Sequence, residues 1–240
     1  MGRSLIKIFI FLFVGIFLII IYLSYFGLET SKFNEIIKNK TNEVIRYIKL
    51  DFKKTKIHLN LKELNLAVKL ENPKVLIGVN EILLSKLDLF ISLKSFLDSD
   101  FLLQRTEVAF FKNDIKDLTK ITDIFLPRII NKKLTKVFAK GSLEGEFIIP
   151  FNSDGSIGKK YKFLGEITDA SIHLTESLII KNLTTEINYG KDDEQNVLTA
   201  ELKKGMLFDL DLSGSKINFK NEKNIKIFDT LLQTNGKINF

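Results

Sequence analysis

The sequence predicts a mainly β protein, an antiparallel meander tethered by one N-terminal transmembrane helix. Three observations carry that expectation. Residues Ile8 to Leu28 form a run of 21 residues without a charge, flanked by Arg3 and Lys7. From Phe52 onward apolar side chains recur at every second position, the period of a half-buried strand. Turn-forming clusters, among them Asn152-Ser153-Asp154-Gly155, Gly190-Lys191-Asp192-Asp193 and Asn221-Glu222-Lys223-Asn224, separate the alternating runs.

The apolar run is about 31 Å long as a helix, close to the hydrocarbon thickness of a bilayer. A cleavable signal has a core of about 7–15 residues and a small-residue cut site, which Ser24-Tyr25-Phe26-Gly27-Leu28-Glu29 does not provide. Residues 1–28 therefore read as a cytoplasmic leader and an uncleaved anchor, with Tyr22 and Tyr25 suited to the interface. Two basic residues precede the span, while Lys32, Lys38, Lys40 and Arg46 follow it. That balance does not orient the helix. The short basic leader does, because long downstream domains translocate largely regardless of charge. Residues 29–240 are expected outside the cytoplasm.

The net charge of +7 and pI near 9.3 come from dispersed lysines, with Arg3, Arg46, Arg105 and Arg128 the sole arginines. Without a basic stripe, no nucleic-acid partner is expected. The chain has no cysteine, so its fold rests on apolar contacts.

Between the anchor and the strands, Phe33, Ile36, Ile37, Val44 and Ile48 recur at helical spacing, which predicts an amphipathic helix over 29–50. Such a stripe either rests on the membrane surface or covers one end of a sheet. The β-rich domain is expected over 51–240. Ile57, Leu59 and Leu61 alternate with polar neighbours, as do Leu64, Leu66, Val68 and Leu70, and then Leu87, Leu89, Ile91 and Leu93. Asn72-Pro73 marks a strand boundary, because proline lacks the ladder donor. Further on, Ala139, Leu143, Phe147 and Ile149 are read as sharing a face with Gly141 and Gly145. Phe163 and Ile167 follow, then Ile179, Leu183, Ile187 and Tyr189, and finally Ile217 and Phe219. About ten strands result. A helical insertion is expected near residues 117–137, broken or kinked at Pro127, where it would plug one end of the apolar face.

Catalytic patterns are missing. His58 and His173 sit on the polar side of strand patterns, without metal-binding spacing. Asp192-Asp193-Glu194 lacks the glycine-spaced ligands of a calcium loop. Asp209 and Asp211 alternate on one strand without a partner base. No nucleophile-elbow, Walker or dinucleotide motif occurs. The sequons at Asn39 and Asn182 matter in a eukaryotic secretory setting alone. No enzyme activity, cofactor or metal is expected. The alternation itself fits two architectures: a closed sandwich or barrel whose dry faces pack together, or a sheet curled into a gutter with an apolar inside.

Two segments carry a resemblance. One is Leu66-Ala67-Val68-Lys69-Leu70-Glu71-Asn72-Pro73-Lys74-Val75, a strand ending in N-P. The other is Leu87 to Leu97, which reads into Ser95-Phe96-Leu97 where the related pattern has S-L-L, followed by Asp114-Ile115-Lys116-Asp117-Leu118. With the anchor and helix before them, these segments resemble the AsmA-like superfamily of TamB- and YhdP-type envelope proteins, closely over 1–120 and more loosely over 139–240. The resemblance implies a meander curled into a groove or open, taco-like sheet, and a protein of the bacterial inner membrane with its bulk in the periplasm. It implies a role in phospholipid transport to the outer membrane or in outer-membrane biogenesis, with phospholipid acyl chains as cargo. The residues expected to line the groove are Ile57, Leu59, Leu61, Leu64, Leu66, Val68, Leu70, Leu87, Leu89, Ile91, Leu93, Phe147, Ile149, Phe163 and Ile167. Ten strands extend about 45–50 Å, less than a periplasm, so the chain is expected either to be the membrane-proximal part of a bridge or to have another envelope protein complete it. The end at Gly236-Lys237-Ile238-Asn239-Phe240, in mid-strand pattern, would fit a truncated gene. The terminal phenylalanine resembles an outer-membrane barrel, but a retained apolar helix would hold such a chain in the first membrane. The alternative is a tethered β-sandwich scaffold that binds an envelope protein and carries no lipid.

Overall fold

The computed structural model describes residues 2–35, 37–39, 48–78, 80–96, 102–119, 136–156, 158–191, 195–222 and 225–236. Helix α1 (Gly2–Tyr25) contains the stretch Ile6–Tyr25, which is long and apolar enough to cross a membrane and has none of its window buried against the rest of the chain. The helix stops because Gly27 adopts φ +72, and the amides of Phe26 and Gly27 both donate to the Tyr22 carbonyl at 2.9 and 3.2 Å. This left-handed cap suits glycine. It also has a steric reason, since a Cβ on Gly27 would lie 2.8 Å from the His58 ring. Strand β1 (Leu28–Thr30) begins at the next residue, so the helix runs directly into the sheet.

The helix expected over 29–50 is shorter at both ends. Leu28–Thr30 is strand, and Ile48–Asp51 forms strand β2, in register with Ile77 to Lys74. Helical backbone is seen at 34–35 and 37–39, where Asn34 binds the Lys53 carbonyl and the Thr55 hydroxyl.

Strands β3 (Thr55–Asn60), β4 (Asn65–Leu70) and β5 (Lys74–Ile77) complete a long hairpin with β2. Asp51 faces Lys74 and Thr55 faces Leu70, so residues 52–54 oppose 71–73 with no slip in register. Pro73 lies in this kink and offers only its carbonyl, which accepts from the Leu84 amide at 3.2 Å. Strand β6 (Asn80–Ser92) is long enough to pair with both β5 and β4. The meander continues through β7 (Leu103–Asp114), β8 (Phe138–Pro150), β9 (Lys162–His173), β10 (Ile179–Lys191), β11 (Gln195–Leu207), the short β12 (Leu210–Asp211), β13 (Lys216–Glu222) and β14 (Ile225–Leu231).

All fourteen strands belong to one open antiparallel sheet. Its main path runs β1-β3-β4-β6-β7-β8-β9-β10-β11-β13-β14. Among the described residues there is no second sheet packed face to face on the first, which removes the sandwich expected as one alternative. Of the helix expected near 117–137, residues 115–119 and 136–137 are helical. Pro127 lies outside the described residues. Ile115 and Leu118 rest on the sheet's apolar clusters, so the described end of this segment does cover part of that face.

A line of irregularities crosses the sheet. Register shifts occur at Leu84/Lys86, Phe110/Asn113, Phe138 to Ser142, Ile180 to Thr185 and Thr184/Thr185. Asn72, Gly141, Asp169 and Asn182, close to that line, have positive φ. An extra residue in a strand reverses which positions face the core. On one side the core face carries Leu87, Ile167 and Leu202. Beyond the shifts it carries Leu84, Ala170 and Leu207, positions of opposite parity. This corrects two assignments: Phe138 and Ile180, rather than Ala139 and Ile179, pack on the core.

Candidate functional site

Residues directly opposite each other in a sheet point to the same side. Following the pairing from strand to strand therefore traces a face. One row passes through Leu28, Ile57, Val68, Leu89, Thr106 and Ile149, from β1 to β8. A second passes through Leu87, Val108, Phe147, Phe163, Tyr189, Leu198, Phe219 and Phe228, from β6 to β14. Together they make one apolar face spanning eleven strands, about 48 Å at the usual strand spacing. It starts at the residue after the anchor's cap.

Twelve of the expected lining residues lie on this face: Ile57, Leu59, Leu66, Val68, Leu70, Leu87, Leu89, Ile91, Phe147, Ile149, Phe163 and Ile167. Three do not. Leu61 and Leu64 occupy the β3–β4 turn, exposed at its tip, with Leu64 at φ +51. Leu93 opens a single 3-10 turn, its amide bonded to the Leu64 carbonyl. The face also includes Val108, Phe110 and Leu198, which the expected lining omitted although Val108 and Phe110 show the same alternation.

The face is unevenly filled by the chain itself. Near α1, Leu50, Phe52, Val68, Leu70 and Ile91 close into a buried cluster. In mid-sheet, Phe110, Phe147 and Phe163 form an aromatic ladder with ring centroids 6.3 and 4.4 Å apart. Phe163 lies across the paired glycines Gly145 and Gly165, where an added Cβ would sit 2.8 and 2.5 Å from its ring. Toward the last strand the cover thins: Phe147 is 37% exposed, whereas Phe228 is 67% exposed.

The reverse face is charged. Lys86 bridges Glu107 at 2.6 Å and Glu146 at 3.0 Å, and Arg105 bridges Glu107 and Glu63 at 2.8 and 2.6 Å while its guanidinium lies 3.8 Å from the Phe90 ring centre. Burial works to raise the Glu107 carboxyl, but hydrogen bonds from Lys86 and Arg105 outweigh it and hold the group below the usual range. Burial pushes Asp88 up despite Lys69 at 3.9 Å and nearby Lys86. Farther on, Lys203 and Lys216 pair with Glu201. One face is thus apolar and the other ion-paired, an asymmetry that keeps the sheet from being wetted equally on both sides.

His58 lies on the charged face against Gly27, its imidazole held below the ordinary value by burial and by Lys56 and Lys69. Asp209 falls in the turn before β12, off the strand that carries Asp211, and Asp211 caps Ser213. Asp192, Asp193 and Glu194 lie outside the described residues. Among the described residues no three metal-ligating side chains come together. No protein-family model, curated protein or solved structure matches the chain.

Proposed function

We propose that this is a membrane-anchored β-sheet protein that shelters phospholipid acyl chains on its apolar face, as the AsmA-like resemblance implies. In this reading it sits in a bacterial inner membrane and passes lipid toward the outer one. The observation that supports it most is the continuity of the two register rows from Leu28, beside the anchor, to Phe228 on the last strand. A single-layer sheet that keeps one face apolar over eleven strands has surface to offer to a guest. Each methylene kept from water contributes about 0.8 kcal/mol, so a chain of lipid carbons is held by exclusion alone, without a specific polar contact. A guttered shape for this sheet belongs to the same proposal.

Native mass spectrometry of the full chain extracted in mild detergent tests it. Phospholipid that survives detergent exchange in wild type, and falls severalfold in Val108→Asp, supports the reading. A lipid-free protein in both forms favours a tethered single sheet that binds an envelope protein and carries no lipid.

A further inference from the structure

Strand β14 breaks the rule that the rest of the sheet obeys. Its neighbour β13 keeps Ile217 and Phe219 on the apolar face and Lys216, Asn218 and Lys220 on the charged one. The pairing of the two strands puts Phe228 on the apolar face, but it puts Ile225, Ile227 and Leu231 on the charged side, opposite Glu222, Lys220 and Lys216. All seven residues of β14 are exposed, with Ile225, Phe228 and Leu231 at 60% or more. The strand thus exposes apolar side chains on both sides, Phe228 between Lys226 and Thr230 on one and Ile225, Ile227 and Leu231 on the other, and among the described residues nothing pairs with its outer edge. The chain that follows turns inward: Gln233 binds Ser215 and Asn235 pairs with Asp211. An open edge of this length carries a row of backbone donors and acceptors onto which another strand can pair.

We propose that β14 is a self-association strand, to which β14 of a second copy adds antiparallel across a two-fold axis normal to the sheet. That symmetry keeps the apolar faces of both copies on one side, and it allows only registers in which opposed residue numbers sum to an even value. Centred on Phe228, the pairing sets Phe228 against itself, Ile225 against Leu231, Lys226 against Thr230 and Ile227 against Asp229. Registers centred on Lys226 or Asp229 oppose like charges directly and are disfavoured. In its own sheet Asp229 faces Asn218, with Lys216 and Lys220 the next residues along that face of β13, paired with Glu201 and Glu222. The other end of the path, β1, offers three residues beside the anchor's cap and is too short to serve. The proposal does not depend on lipid being carried.

The chain has no cysteine, so single-cysteine variants of the full protein report the register directly. Under mild oxidation Phe228→Cys should cross-link to itself about tenfold faster than the control Leu164→Cys, because only directly opposed positions come within disulfide reach. Lys226→Cys and Thr230→Cys should each stay free of cross-links alone and cross-link when mixed. Light scattering should find wild type dimeric and Phe228→Lys monomeric. A monomeric wild type, equal cross-linking at Phe228→Cys and Leu164→Cys, or a dimer in which the mixed pair fails to join would each overturn the proposal.

Discussion

The ring of Phe163 lies over Gly165, two residues along the same strand, so closely that a Cβ there would sit 2.5 Å from it. Gly145, directly across on β8, leaves the space that the ring's other side occupies. Gly165→Ala should therefore destabilise the sheet by about 1–3 kcal/mol through overpacking. The cost should fall in Phe163→Ala/Gly165→Ala relative to Phe163→Ala alone, with a remainder from the Glu144 carbonyl oxygen, 2.9 Å from the same Cβ. Denaturant unfolding of the four proteins of this cycle checks it.

The joint between anchor and sheet makes a second prediction. Gly27→Ala imposes both a left-handed backbone on a residue with a Cβ, at about 1–2 kcal/mol, and a clash with His58. Adding His58→Ala should relieve the clash and leave the backbone cost. Thermal unfolding should place the double variant between wild type and Gly27→Ala.

His58 also sets a pH dependence. Its folded-state affinity for a proton is below that of the unfolded chain, through burial first and then Lys56 and Lys69. Above the ordinary imidazole range both states are neutral and nothing is lost. As pH falls through that range the unfolded chain binds the proton first, so stability should drop, and the drop should be smaller in His58→Gln. Unfolding free energies between pH 8 and 5 give the comparison.

Asp88 has the opposite sign. Burial raises its carboxyl, so the folded state takes up a proton before the unfolded chain does, and ionised Asp88 is a cost at neutral pH. Asp88→Asn should raise stability at pH 7 by an amount on the order of 1 kcal/mol. The gain should shrink as pH falls through the raised value. A gain that grows on acidification would refute the assignment.

The alternation in the sequence located most strands and placed twelve of the fifteen named residues on one face of the sheet, because a strand with one dry face must repeat every second residue. It failed where the backbone adds a residue. Ile179 and Ala139 follow the simple period, yet the bulges near Asn182 and Gly141 hand the core positions to Ile180 and Phe138. Asp169 and Asn182, two short polar residues tolerant of positive φ, were the local signal for that reversal. Leu61 and Leu64 continue the alternation in letters alone, since the chain turns between them. The sidedness of β14 was open to reading from Ile225-Lys226-Ile227-Phe228, but the side each residue takes depends on its pairing with β13.

The apolar face as a lipid surface is tested most directly by a photoreactive amino acid at Val108 or Leu198, set against the same probe at the neighbouring Glu107 or Thr199 on the charged side. In cells grown with labelled lipid, phospholipid adducts are expected at Val108 and Leu198 and not at Glu107 or Thr199. Equal labelling of both faces, or none on either, would contradict the account.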